Sequence, residues 1–310
     1  MKKTDKIAIL MATYNGQKYL REQLDSIREQ TMQDWVVFFH DDGSTDTTME
    51  IIREYETKDP ARFCYVDGPA TGGAKNNFFY LMSQVEAPYY MFCDQDDVWK
   101  KKKIELTHNK MLELEKKDEK DVPCLAFTEL EVVDWNRDII SNTMSQFQGL
   151  DCSKTSINRL LMQNVVTGCT VEINRVLRDM GLVYRDADAI IMHDWWLSLI
   201  AAAYGRIEFL NVPTIEYRQH GDNSVGALAI HSRKYLAKRL HQASAIREAL
   251  RLTRVQAGQF AECVDTQGTT VAAKYAAIGQ ASKRKRLCFY LRHDMRKTNL
   301  TRNIGLFIWG

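Results

Sequence analysis

Tyr89-Tyr90-Met91-Phe92-Cys93-Asp94-Gln95-Asp96-Asp97-Val98-Trp99 passes from an apolar run to three carboxylates within four residues. The run is rich in strand formers and reads as a buried strand. Carboxylates at its C-terminal end would lie on the ligand-bearing edge of an open α/β sheet. Acids packed so closely repel one another unless a cation shares the site. Hard oxygen ligands suit Mg²⁺ or Mn²⁺, which bridge protein carboxylates to substrate phosphates. A solvated acidic turn or a helix N-terminus would carry the same residues, so the rest of the chain has to decide.

Upstream, Lys6 to Thr13 reads as a first buried parallel strand running into the turn signal Tyr14-Asn15-Gly16. Tyr19, Leu20, Leu24 and Ile27 recur at helical spacing. Trp35 to Phe39 is a second strand, ending at His40-Asp41-Asp42-Gly43-Ser44-Thr45-Asp46, with a helix from Thr47 to Lys58. Arg62 to Val66 is a third, and Gly72-Gly73-Ala74-Lys75-Asn76-Asn77 introduces a helix to Val85. Strand and helix alternate with short connections, the pattern of a doubly wound, mostly parallel α/β sheet flanked by helices. Right-handed crossovers bring Thr13-Tyr14-Asn15, Asp41-Asp42 and Asp94 to Asp97 to one edge.

Downstream, residues 100–121 are helical in pattern and Leu125 to Val133 is another strand. Residues 134–155 read as an irregular loop over the site, and a helix near Ser156 to Gln163 precedes a strand from Asn164 to Val171 with Gly168 inside it. A glycine there marks close approach of backbone or ligand. His193-Asp194-Trp195-Trp196 opens an apolar helix to Tyr204, and Arg206 to Tyr217 is strand-like. From Ala227 the pattern is helical. Asp194 has two readings, a helix cap or a reactive carboxylate. The adjacent tryptophans cannot share one helix face, so one belongs to the core and the other is free to form a platform.

Composition bounds the rest. The 310 residues suffice for one large domain with an appendage, and 45 % hydrophobic content is that of a globular protein. Seven scattered cysteines contain no Cys-x-x-Cys pair, which fits a reducing cytoplasm and excludes a disulfide framework or zinc cluster. Neither a signal peptide nor a membrane span is expected. The net charge of +2 hides an asymmetry, because residues 228–310 hold 16 basic and 4 acidic residues. A basic tail calls for an anionic partner.

Taken in order, Ala12-Thr13-Tyr14-Asn15, Asp41 to Asp46, Ala74-Lys75-Asn76, Asp94-Gln95-Asp96, Thr167-Gly168-Cys169 and the acid before a tryptophan pair at Asp194 resemble the motifs of family 2 glycosyltransferases of the GT-A fold. The resemblance covers about the first 225 residues. Cys93 to Trp99 with Tyr217-Arg218-Gln219-His220-Gly221 is similar to the bacterial branch that builds rhamnose-containing cell-wall and capsular polysaccharides. It implies that Thr13, Tyr14, Asn15, Asp41, Asp42, Lys75, Asp94 and Gln95 hold a nucleotide sugar. It implies further that Asp94, Asp96 and His220 take Mg²⁺ or Mn²⁺, and that Asp194 is the catalytic base. Gly168, Trp195 and Trp196 would face the acceptor.

The expected division is a GT-A catalytic domain over 1–226, with a nucleotide-sugar half at 1–99 and an acceptor half at 122–226, followed by a basic helical region at 227–310. The expected reaction is inverting transfer of L-rhamnose from dTDP-L-rhamnose to a saccharide, lipid-linked in the fullest form of the reading. A UDP-hexose donor, a nucleotidyltransferase and a catalytically dead nucleotide-binding subunit stand as alternatives. The nucleotidyltransferase should carry a glycine-rich basic loop where Thr13-Tyr14-Asn15-Gly16-Gln17 stands. Nucleic acid is not expected as a partner, because the body is acidic and no recognition motif is present. Oligomers remain open. Lys283-Arg284-Lys285-Arg286 and the apolar residues after them read as an interfacial anchor on the inner membrane face.

Overall fold

A computed structural model describes residues 1–117, 122–219 and 243–309. Strand β1 (Lys2–Lys3) precedes β2 (Ile7–Thr13), helix α1 (Leu20–Arg28), β3 (Trp35–Asp41), α2 (Thr48–Lys58), β4 (Phe63–Tyr65) and α3 (Ala74–Gln84). Then come β5 (Val85–Glu86), β6 (Tyr89–Cys93), β7 (Val98–Trp99), α4 (Lys103–Glu115), β8 (Cys124–Val133), β9 (Ile139–Ser141), α5 (Met144–Gln148) and α6 (Ile157–Leu160). The chain continues through β10 (Val171–Asn174), α7 (Arg175–Gly181), α8 (His193–Tyr204), β11 (Arg206–Arg218) and the helices α9 (Ala243–Cys263), α10 (Ala272–Ala277), α11 (Lys283–Arg292) and α12 (Leu300–Trp309).

The main sheet runs β4-β3-β2-β6-β10-β8-β11-β7, with β9 paired to β8. Strands β4, β3, β2 and β6 are parallel neighbours, and so are β8 and β11. Strand β10 is antiparallel to both β6 and β8, so those two still point the same way. The C-terminal ends of β2, β3, β6, β8 and β11 therefore share one edge. The period of two along a strand explains why β2 and β3 are continuously apolar. Ile7, Ile9, Met11, Val37 and Phe39 face one core, while Ala8, Leu10, Val36 and Phe38 face another. Both faces of β2 and β3 are covered, so the stretches Ile7 to Met11 and Trp35 to Phe39 are apolar on both faces.

The basic C-terminal helices are part of this packing. Leu250, Phe260, Tyr275, Tyr290 and Leu306 join the same core as Trp196 and Leu197 of α8. Phe260 meets Trp196 edge-on at 5.9 Å. Three sequence expectations are corrected. The segment from Asn164 is not a strand, because Gly168–Thr170 forms a 3₁₀ turn and pairing starts only at Val171. The 134–155 stretch contains the short elements β9 and α5. Asp194 is not the cap of α8: Met192 holds that position and Asp194 lies inside the first turn.

Candidate active site

The loop after β6 is held from several sides. Gln95 donates through Nε2 to the Tyr14 carbonyl at 2.8 Å and accepts the Tyr14 N–H through Oε1 at 2.9 Å. Its amide lies so close to Gly16 that a Cβ there would sit 2.3 Å from Oε1, which is why the turn after β2 carries a glycine. The loops after β2 and β3 are interlocked in the same way. Asn15, at φ 47°, donates its N–H to Ser44 Oγ at 2.8 Å and accepts the Thr45 N–H at 2.9 Å. Thr13 Oγ1 donates to Asp41, whose carboxylate also accepts the N–H groups of Gly43 and Ser44. Asp42 accepts N–H groups from Thr71, Gly72 and Gly73, and so fixes the turn that opens α3. Burial opposes ionisation of Asp42, but these donors outweigh it and lower its pKa.

Asp97 is fully buried and accepts the Arg218 N–H at 3.2 Å. The Arg218 guanidinium, itself buried, donates to the carbonyls of Asp96 and Trp135 and pairs with Glu22. Oxygens of Asp94 and Asp97 and the sulfur of Cys169 lie within 4.8 Å of one another. Burial pushes the Cys169 thiol well above its ordinary pKa, so it stays protonated and its one S–H is a weak donor within reach of either carboxylate. Burial, then the charges of Asp96 and Asp194, raise Asp94 to about 7. Burial, then Asp96 and Asp94, raise Asp97 well above the carboxylate range.

On α8, burial raises Asp194 to about 6, against the pull of the Trp195 and Gly168 N–H groups and the Asn164 side chain. Its neighbour His193 is sealed between Phe78 and Phe92, with ring centroids at 4.3 and 4.9 Å. Burial lowers His193 to about 3 and keeps it neutral. A Cβ on Gly168 would come within 3.0 Å of His193 Nε2, so the glycine permits this close packing beside Asp194.

The glycosyl transferase family 2 model matches residues 8–170. The chain belongs to glycosyl transferase family 2. It is also 31 % identical over 237 residues to "dTDP-rhamnosyl transferase RfbG" of Shigella flexneri, an alignment spanning 73 % of this chain and 76 % of that protein. A "Putative teichuronic acid biosynthesis glycosyltransferase TuaG" of Bacillus subtilis is 28 % identical over 108 residues, 34 % of this chain and 42 % of that one. Among solved structures, residues 1–349 of S. aureus TarS superpose with a TM-score of 0.54 at 16 % identity, covering 94 % of this chain and 88 % of that chain. That likeness is one of fold, the α/β fold of the GT-A class.

The residues singled out from the sequence of this family 2 glycosyltransferase fall into three groups. Thr13, Tyr14, Asn15, Asp41 and Gln95 form one interlocked rim, with Tyr14 56 % exposed. Asp94, Asp96, Gly168 and Asp194 converge through mutual field and contact. Lys75 is engaged elsewhere, donating to the carbonyls of Ala187 and Ile190 at 2.6 and 3.0 Å. Trp196 is corrected as an acceptor residue: it is fully buried and its indole N–H donates to the Gly181 carbonyl at 3.0 Å. Trp195 is half-buried, with its indole N–H on the Leu160 carbonyl at 2.6 Å. His220 lies outside the described residues. Arg218, Asp97 and Cys169 were not assigned site roles, although all three sit inside the motifs that carry the family resemblance.

The sign of the pH effect at Asp94 follows from its raised pKa. Its ordinary value is 3.8 and its folded value about 7, so protonation favours the native state. That contribution is complete below about pH 4 and is lost as pH rises through about 7. In chelator-treated protein, Asp94→Asn should raise Tm at about pH 8, with the gain shrinking by about pH 5. An equal gain at both pH values would contradict the crowding described here.

Proposed function

We propose that this glycosyltransferase moves L-rhamnose from dTDP-L-rhamnose to a hydroxyl of a lipid-linked saccharide during cell-wall or capsular polysaccharide synthesis, with inversion at the anomeric carbon. The observation that carries the reaction type is the buried Asp194 carboxylate, at a pKa of about 6, in the field of the acidic loop Asp94 to Asp97. The similarity to a protein named as a dTDP-rhamnosyl transferase supports the donor.

The residues fit a hard divalent cation. Asp94 and Asp96 are half-buried carboxylates on one loop, and the like-charge crowding there is the condition a cation relieves. Bound at Asp94 and Asp96, with His220 as a further candidate ligand, Mg²⁺ or Mn²⁺ would supply Lewis-acid charge to the leaving diphosphate. Thr13, Tyr14, Asn15, Asp41 and Asp42 form the rim assigned to base and ribose, and Gln95 keeps that rim in register with the acids. Lys75 acts on this rim indirectly, by tying α3 to the 187–190 turn.

Asp194 takes the proton of the acceptor hydroxyl as that oxygen bonds to the anomeric carbon and the bond to the diphosphate oxygen breaks. The neutral His193 and its aromatic neighbours exclude water from one side of the carboxylate, which raises its basicity. A single displacement by a base of this kind gives inversion and needs no covalent enzyme intermediate. Gly168 and Trp195 both donate backbone N–H groups to the Asp194 carboxylate.

The acceptor's lipid would be met by the C-terminal helices on the cytoplasmic face of the membrane. Among the described residues no helix is long and apolar enough to cross a membrane. Helices α11 and α12 instead present exposed Lys283, Arg284, Lys285 and Arg292 beside exposed Leu291, Ile304 and Ile308. The Lys283 ammonium donates to the Ile308 carbonyl at 2.7 Å, which ties the two helices together.

Asp194→Asn should lower transfer by about 10³-fold or more while leaving nucleotide binding by calorimetry within about twofold. In the wild type, kcat should fall below about pH 6 as the base is protonated. Retained turnover, or a product with retained anomeric configuration by NMR, would contradict the assignment. Separately, the protein should co-sediment with vesicles containing phosphatidylglycerol at low salt and be released by salt. Equal binding to purely zwitterionic vesicles would contradict the charge-based docking.

A further inference from the structure

The acidic loop lies over a second charge. Lys103, in the first turn of α4, is fully buried, and its ammonium has no hydrogen-bond partner among the described residues. It stands 4.4 Å above the ring of Trp99, two residues beyond Asp97 in the same loop-to-strand segment. Leaving an ammonium in an interior without a partner is costly, so such a group calls for an explanation. Its surroundings contain matching orphans. Asp97 Oδ2 and Glu172 Oε2 are buried without a partner, while the other Glu172 oxygen meets His108 Nδ1 of α4 at 2.7 Å. The helix thus carries Lys103 and His108 against the sheet positions that flank the acids. Even here Lys103 keeps a pKa of about 8: burial lowers it, and the fields of the nearby carboxylates Glu172 and Asp97 act the other way.

We propose that Lys103 is a resident counter-cation for the acidic loop, a positioning residue whose buried ammonium lets Asp94, Asp96 and Asp97 stay crowded before a divalent cation arrives and which weakens the hold of the empty loop on that cation. This deepens the function proposed above and rests on reading the loop as a cation site. Two consequences follow. The fold tolerates the acids in the absence of metal. The loop also binds a bare cation only weakly, so that the cation comes in with the negatively charged diphosphate of the donor, whose charge offsets the repulsion from Lys103.

The test is calorimetric titration of Mn²⁺, without nucleotide, into metal-free wild type and Lys103→Met, with thermal melts of both in chelator and in Mn²⁺. Methionine preserves most of the packing volume and removes the charge. The variant should bind Mn²⁺ about three- to tenfold more tightly, the order expected for one charge acting on a divalent ion through a partly shielded interior. Its metal-free Tm should fall, and Mn²⁺ should raise its Tm more than it raises that of the wild type. A lysine that only packs would alter Tm and leave Mn²⁺ affinity unchanged, and unchanged or weaker binding overturns the proposal. Lys103→Gln serves if the methionine variant does not fold. If neither folds in chelator, recovery of folding by Mn²⁺ supports the proposal and failure to recover overturns it. Wild type that binds no Mn²⁺ at all, with or without UDP or dTDP, would instead remove the cation-site reading on which the inference stands.

Discussion

Repulsion among carboxylates gathered at the end of one buried strand is the constraint around which this protein is built. Asp94, Asp96 and Asp97 follow β6 without a break, and Asp194 approaches from α8. Such a group is unstable in a dry interior unless hydrogen bonds or opposite charge compensate it. The compensation is distributed. The Arg218 backbone N–H serves Asp97, the Arg218 side chain ties the loop to Glu22, and the Cys169 thiol lies between two of the carboxylates. Lys103 supplies a second buried positive charge beside that of Arg218. In the proposed reaction, what remains uncompensated is the driving force for taking up a cation together with a diphosphate.

A second layer of organisation lies in the loops. The polar residues at the ends of β2, β3 and β6 mostly bind one another, and their hydrogen bonds set the spacing between the rim and the acids. Gln95 reads the Tyr14 backbone as a neighbouring strand would, and Asp42 gathers three successive N–H groups of the turn before α3. Preorganisation of this kind fixes a site before substrate arrives, so that little binding energy goes into ordering loops. It also means that several residues assigned to the nucleotide act in part through their neighbours.

The parallel half of the fold was legible because its strands are apolar on both faces and end in polar residues of a narrow set of types. Asp94 and Asp96 stood out as acids at the end of an apolar run, whereas Asp194 was singled out through the family resemblance; the structure brings the three into one another's field. The strand expected at 164–171 failed because Val165 and Val166 are buried without strand pairing and Cys169 is buried inside a 3₁₀ turn. Burial there comes from tertiary packing, which periodicity does not encode. The tryptophan pair was read correctly as split, but only the structure says that Trp196 is the core member and that Trp195 is tethered as well. Lys103 and Arg218 were opaque, because a lysine in a run of four lysines and an arginine at a strand end look solvated until the strands around them are placed.

The central claim is that the rim and the acidic loop together bind a thymidine diphosphate sugar with a divalent cation. A thermal-shift panel with Mn²⁺ and dTDP, UDP, GDP, ADP or CMP tests it most directly, since a ligand bound only by the native state raises its apparent stability. The account predicts the largest rise with dTDP, and a rise that disappears when Mn²⁺ is replaced by chelator. A larger rise with UDP would contradict the rhamnose donor while keeping the enzyme class, and no rise with any nucleotide would contradict the site itself.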